Sequence, residues 1–245
     1  MKIVRAALRL LQDILLGYLA AWIFGLLLSL LFLLFILLRR VRIEGYWRLV
    51  GAVLRGRVMI LMNHPTVFFE TFGIGALVFP WCLVWSTPDK HLLDKWGIPG
   101  WVRIVFRCIQ LDRTKRRSGA EGATSMERVL FWRGVVVAHP ERGRTFGEAN
   151  RHKVPLVRGN RRMQKIESSL TRVAHEAKAS ILVGWVQVPD DAPVDLKVSF
   201  RRMFGKENSA HWPVVYSFKQ PLYRTSEPFD RAAENQKLQE AILSA

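Results

Sequence analysis

Cysteine is scarce in this chain. Cys82 and Cys108 are the only two among 245 residues, and each sits in an apolar setting. Two such thiols make no disulfide framework, and no CxxC spacing offers a zinc site. A reducing compartment is the natural expectation. Acidic residues are few as well: 20 Asp and Glu stand against 37 Lys and Arg, for a formal net charge of +17. That surplus speaks of partners rather than fold, and narrows them to nucleic acid, an anionic membrane face or phosphate-bearing substrates. The sequence shows no internal repeat, low-complexity tract or long linker, and with 50% hydrophobic residues it is no disordered chain.

Charge is missing altogether from Ile14 to Leu38. As a helix rising ~1.5 Å per residue, that run reaches roughly 37 Å, more than the roughly 30 Å hydrocarbon core of a bilayer. It is too long for a cleaved signal peptide, and it ends in Leu38-Arg39-Arg40 with no small-residue cleavage site. A buried soluble helix of that length would carry a polar face. Insertion into a membrane is therefore expected. Lys2, Arg5 and Arg9 precede the run while Arg39, Arg40 and Arg42 follow it, so the flanks do not set an orientation. A helix-break-helix dipping into one leaflet, with its break near Gly25, would satisfy both flanks.

Beyond the run, short apolar segments alternate with polar or helical stretches. Val58–Met62, Leu83–Ser86, Val102–Leu111, Val135–Ala138, Ile181–Val188 and Val214–Phe218 read as strands. Asn160–Lys178 reads as a helix, because Met163, Ile166, Leu170, Val173 and Ala177 recur every three or four residues. Asp230–Leu243 reads as another. This alternation predicts an α/β fold, with a mixed, largely parallel sheet flanked by helices and preceded by a hydrophobic membrane-anchor helix or helical hairpin. The expected division is an anchor over residues 1–43 and one catalytic domain over residues 44–245.

In such folds sites gather where strands end, and three strand ends carry polar residues of interest. After Met62 comes Asn63-His64-Pro65-Thr66-Val67-Phe68-Phe69-Glu70. A histidine there with a following carboxylate is a general-base arrangement, since imidazole titrates near neutral pH and a carboxylate can fix its tautomer. The same residues also suit a strand-to-helix turn with Pro65 at N1 and Glu70 in a solvated first turn. After Ala138 comes His139-Pro140-Glu141-Arg142-Gly143-Arg144, where Arg144 can fork onto a phosphate and Glu141 can hold that arginine or a ligand hydroxyl. The alternative is a polar surface turn. After Leu111 comes Asp112-Arg113-Thr114-Lys115-Arg116-Arg117, which suits a solvated loop, a phosphate site or anionic lipid.

Taken in order, these blocks resemble the glycerophospholipid acyltransferase family, which includes the lysophosphatidate acyltransferases. Asn63-His64 resembles the start of the family's NHxxxxD block. Trp96-Gly97-Ile98-Pro99-Gly100-Trp101 with Asp112-Arg113 resembles the second block, Pro140-Glu141-Arg142-Gly143-Arg144 the PEGTR block, and Ile181–Pro189 the apolar fourth block. The resemblance implies His64 as general base with Glu70 as its carboxylate, and Arg113, Glu141 and Arg144 at the acceptor phosphate. It implies transfer of a fatty acyl group from acyl-CoA or acyl carrier protein to a hydroxyl of a lysophospholipid, with no further cofactor and no metal. It implies a place in phospholipid biosynthesis, at a membrane, with the catalytic domain on the cytoplasmic side. Two departures stand out: Phe69 occupies the family's Asp position and Glu70 follows one residue later, and Arg142 and Gly143 replace the Gly and Thr of PEGTR. Asp89 is a second candidate partner for His64. A catalytically silent relative that binds lipid or a partner protein is the main rival reading. A membrane-tethered nucleic-acid binder is the other, but no recognisable nucleic-acid module is present.

Overall fold

The computed structural model describes residues 2–64, 69–88, 94, 97, 103, 107–111, 118–141, 156–158, 161–163, 165–166, 169–188 and 214–245. Its centre is a six-stranded sheet built from β1 (Val41–Glu44), β2 (Val58–Met62), β3 (Trp85–Ser86), β4 (Val135–Ala138), β7 (Ser180–Gln187) and β8 (Val214–Ser217). The strand order is β1-β8-β7-β2-β4-β3. The pairings β7–β2, β2–β4, β4–β3 and β1–β8 are parallel, and β7–β8 is antiparallel. β2 and β4 are unbroken apolar runs with every residue buried, as parallel strands covered on both faces must be. The mixed, mostly parallel sheet expected from sequence is the observed one.

Two layers of helices cover it. On one side lie α1 (Lys2–Leu37), α2 (Tyr46–Arg55) and α3 (Phe69–Val78), packed over Val58, Ile60, Val137, Leu182 and Tyr216. On the other lie α4 (Ser118–Phe131), α5 (Leu170–Glu176) and α6 (Arg231–Ser244), packed over Met59, Leu61, Val136, Ile181 and Val183. Successive strand residues point to opposite faces, so β2, β4 and β7 each feed both cores. The last helix falls where the sequence put it, with Asp230 as N-cap accepting from the Ala232 and Ala233 amides at 2.8 and 3.3 Å.

Two expectations are corrected. Among the described residues of the segment Asn160–Lys178 the α-helix is α5; Arg161–Met163 is instead strand β6, paired antiparallel with β5 (Leu156–Arg158). The two-residue link Gly159-Asn160 is a hairpin signal that outweighs the helical spacing of Met163 and Ile166. The break near Gly25 is absent too, because α1 runs as one helix from Lys2 to Leu37. Gly25 serves close approach: a Cβ there would sit 2.7 Å from the Phe79 ring. Leu15–Leu37 is long and apolar enough to cross a membrane by length and composition. Its heptad-spaced residues Ala21, Gly25, Leu28, Phe32 and Phe35 are buried against the domain. Residues 41–44, at the junction of the two segments read from sequence, form β1 and pair with β8.

Candidate active site

The geometry of the site follows from one register. β2 and β4 pair in parallel with Val58 opposite Val135 and Leu61 opposite Ala138. Carried three residues past the Leu61–Ala138 pair, the same offset sets His64 opposite Glu141. There the His64 amide donates to Glu141 Oε1 at 2.8 Å. Glu141 is only 1% exposed, so its carboxylate is a built part of the strand-end turn, and His64 is half-buried beside it. A buried carboxyl oxygen left without a donor would be costly, so this bond fixes the turn.

Asn63 fixes the preceding residue from the other flank. Its Nδ2 donates to the Val186 carbonyl at 2.8 Å and its Oδ1 accepts from the Val186 amide at 2.7 Å. The side-chain amide thus stands in for one more residue of ladder between β2 and β7, where the strand itself has ended. His139, just past β4, stacks on His64 with ring centroids 4.4 Å apart and planes 13° from parallel. Its Nδ1 lies 3.3 Å from the Met62 carbonyl oxygen, which as a hydrogen bond places a proton on that nitrogen. His64 is therefore held at its amide by Glu141, at its neighbour by Asn63 and at its ring face by His139. Of these contacts, the stacking on His139 is the one that touches the His64 ring itself.

The structure brings together His64 and Glu141 of the residues read from sequence. Glu141 reaches the His64 main chain, a contact the sequence reading did not foresee. Glu70 is the second residue of α3, and its side chain lies outside the described residues, as do Arg113, Arg144 and Asp89. The sequence pattern assigns Asn63 and His139 no role of their own. A signal for them exists: both blocks read as an apolar run followed by His-Pro, at His64-Pro65 and His139-Pro140. Two strands stopped in the same way are candidates to lie side by side. Burial pushes both cysteine thiols up, against a smaller opposing pull from Arg107 on Cys82, and from Ser86 and Arg103 on Cys108.

An open cleft lies between α1 and α3, lined by Phe24, Gly25, Leu28, Phe72, Val84 and Arg107. Its walls are mostly apolar, and α3 is the helix that follows His64 in the chain.

No family model matches the chain, and no curated protein matches its sequence. Among solved structures it is similar to the 1-acyl-sn-glycerophosphate (LPA) acyltransferase PlsC from Thermotoga maritima. The TM-score is 0.51 at 12% sequence identity, covering 100% of this chain and 95% of that one. At that identity the likeness shows a shared α/β fold over nearly the whole of both chains.

Proposed function

We propose that this chain is an O-acyltransferase that moves a fatty acyl group from a thioester carrier to a hydroxyl of a lysophospholipid such as lysophosphatidate. The observation that carries the reading is the His64–Glu141 contact at the C-terminal ends of β2 and β4, in a fold shared with an acyltransferase. In this reading His64, paired with Glu70, takes the proton of the acceptor hydroxyl as the oxygen attacks the thioester carbonyl. The tetrahedral intermediate collapses with cleavage of the C–S bond, and the thiolate of CoA or of acyl carrier protein recovers that proton from His64. Arg113 and Arg144 hold the acceptor phosphate. Glu141 acts through the His64 backbone as a positioning residue, and the cleft beside α3 accommodates the acyl chain. The basic surplus suits anionic lipid heads and an anionic carrier alike. Residues 1–43 attach the protein to the cytoplasmic face of a membrane and residues 44–245 carry the chemistry.

The test is a panel of lysolipids incubated with radiolabelled acyl-CoA or acyl carrier protein. His64→Ala should lower turnover by about 10²–10⁴-fold with an unchanged melting temperature. Glu141→Ala should lower kcat more than it raises KM. Turnover retained by His64→Ala removes His64 as base. Wild-type protein that binds lysolipid but consumes no thioester would instead favour the silent-relative reading, to which Phe69 at the family's acid position lends weight.

A further inference from the structure

The strand register sets where the His139 ring lies. In β2 and β4, Val58, Ile60, Met62, Val135 and Val137 face the layer of α1–α3, while Met59, Leu61, Val136 and Ala138 face the other. Carried past the strand ends at a period of two, that alternation turns His64 and His139 toward the same side, the one that bears α1–α3. The β2–β4 offset sets His139 opposite Met62 and His64 opposite Glu141, so the two histidines are diagonal neighbours on one face. Diagonal positions lie within reach of aromatic side chains. A proline follows each histidine, at Pro65 and Pro140. A residue before proline is steered to extended backbone, which carries the strand direction through both positions.

Two contacts then hold His139. Its Nδ1 lies 3.3 Å from the Met62 carbonyl oxygen, a bond that ties the ring to the opposing strand and places a proton on that nitrogen. Its face lies on the His64 ring, with centroids 4.4 Å apart and planes 13° from parallel, at the short end of the range in which aromatic faces meet. Glu141 and Asn63 hold main chain at and beside His64. Main-chain bonds leave an imidazole free to choose among side-chain rotamers, and a ring face does not. We propose that His139 is a positioning residue whose ring sets the plane of the His64 imidazole, and with it the line along which His64 takes a proton from the acceptor hydroxyl. The chemical half of this inference rests on the acyltransferase reading above; the placement of the ring does not. The same contact suits the charge that develops. Once protonated, His64 lies over a π-face, an attraction of the cation–π kind that a neutral His139 supplies and a charged one would oppose.

The test separates the ring face from the hydrogen bond, in the full chain. His139→Ala removes both. His139→Gln keeps a donor for the Met62 carbonyl and loses the face. His139→Phe keeps a face and loses the donor. With radiolabelled acyl-CoA and lysophosphatidate, His139→Ala and His139→Gln should lower kcat by roughly 10–100-fold. KM should change by no more than about twofold, because the acceptor is still bound. His139→Phe should recover most of that loss, to within about threefold of wild type, although its melting temperature falls. The opposite order, with His139→Gln near wild type and His139→Phe impaired, would overturn the proposal in favour of a brace between strand ends. Equal losses in all three variants would overturn it as well. A second measurement needs no turnover. By nuclear magnetic resonance of isotope-labelled histidine, the His64 ring should give one sharp set of signals in wild type and His139→Phe. It should give broadened or doubled signals in His139→Ala and His139→Gln. A single sharp set in His139→Ala would overturn the proposal. Ring signals that follow this pattern in a protein that consumes no thioester support the ring placement and reject the acyltransferase reading. Wild-type turnover matched by His139→Ala keeps that reading and rejects the role of His139.

Discussion

The two helical layers bury the same sheet and present opposite surfaces. On the α4–α6 side the outward residues are Glu121, Thr124, Ser125, Arg172, Lys237 and Glu240, some linked by surface pairs such as Arg172–Glu176 at 3.5 Å. Along α1 from Leu15 onward the outward residues are mostly leucines, with Tyr18 and Ile23 among them. Both layers obey the same rule inward, with apolar ridges packed on the strands. They differ in what lies outside: water needs a charged face, and only an apolar neighbour makes a leucine face favourable. The site stands at the strand ends between the layers, where the two cores meet through β2 and β4.

Substitutions that separate inner from outer ridges test this contrast. The largest effect is expected for Phe35→Ala on the inner ridge of α1, where the ring is fully buried. Its loss should cost about 3–5 kcal/mol, read by denaturant titration in detergent-free solution. If the cost is small, α1 is an appendage and not part of the core. Asn63→Ala comes next. It strips two buried partners from Val186 and should cost about 2–4 kcal/mol, with turnover falling further than the stability loss accounts for. Changing Leu30 and Leu33 to lysine makes the outer face of α1 resemble that of α4. The folding free energy should move by about 0.5 kcal/mol or less, while solubility without detergent rises. A large destabilisation there would show that the leucine stripe is covered by protein. The smallest effect belongs to Arg172→Ala, an exposed helix pair worth about 0.3–0.5 kcal/mol and weaker still in high salt.

Legibility in the sequence was uneven. The strands with unbroken apolar runs, β2, β4, β7 and β8, were visible because full burial on both faces leaves a continuous hydrophobic signature. Strand β6 lies inside the segment that reads as helix, since Met163 and Ile166 at a spacing of three satisfy a helical period. His64 was legible as a strand-end histidine. His139 was not, because its importance comes from stacking across a strand pair, and no single-chain pattern states which strands are neighbours.

From sequence alone came an α/β chain with a charge-free apolar segment, a strongly basic surface and polar blocks at strand ends. Those features are local: composition and periodicity report burial and charge one segment at a time. Only the tertiary structure decided that β2 and β4 lie side by side with an offset that sets Glu141 against the His64 amide. It alone decided that the apolar segment lies across the sheet with one face buried and the other bare. Register and docking angle arise from contacts between residues dozens of positions apart, and such contacts exist only once the chain has closed on itself.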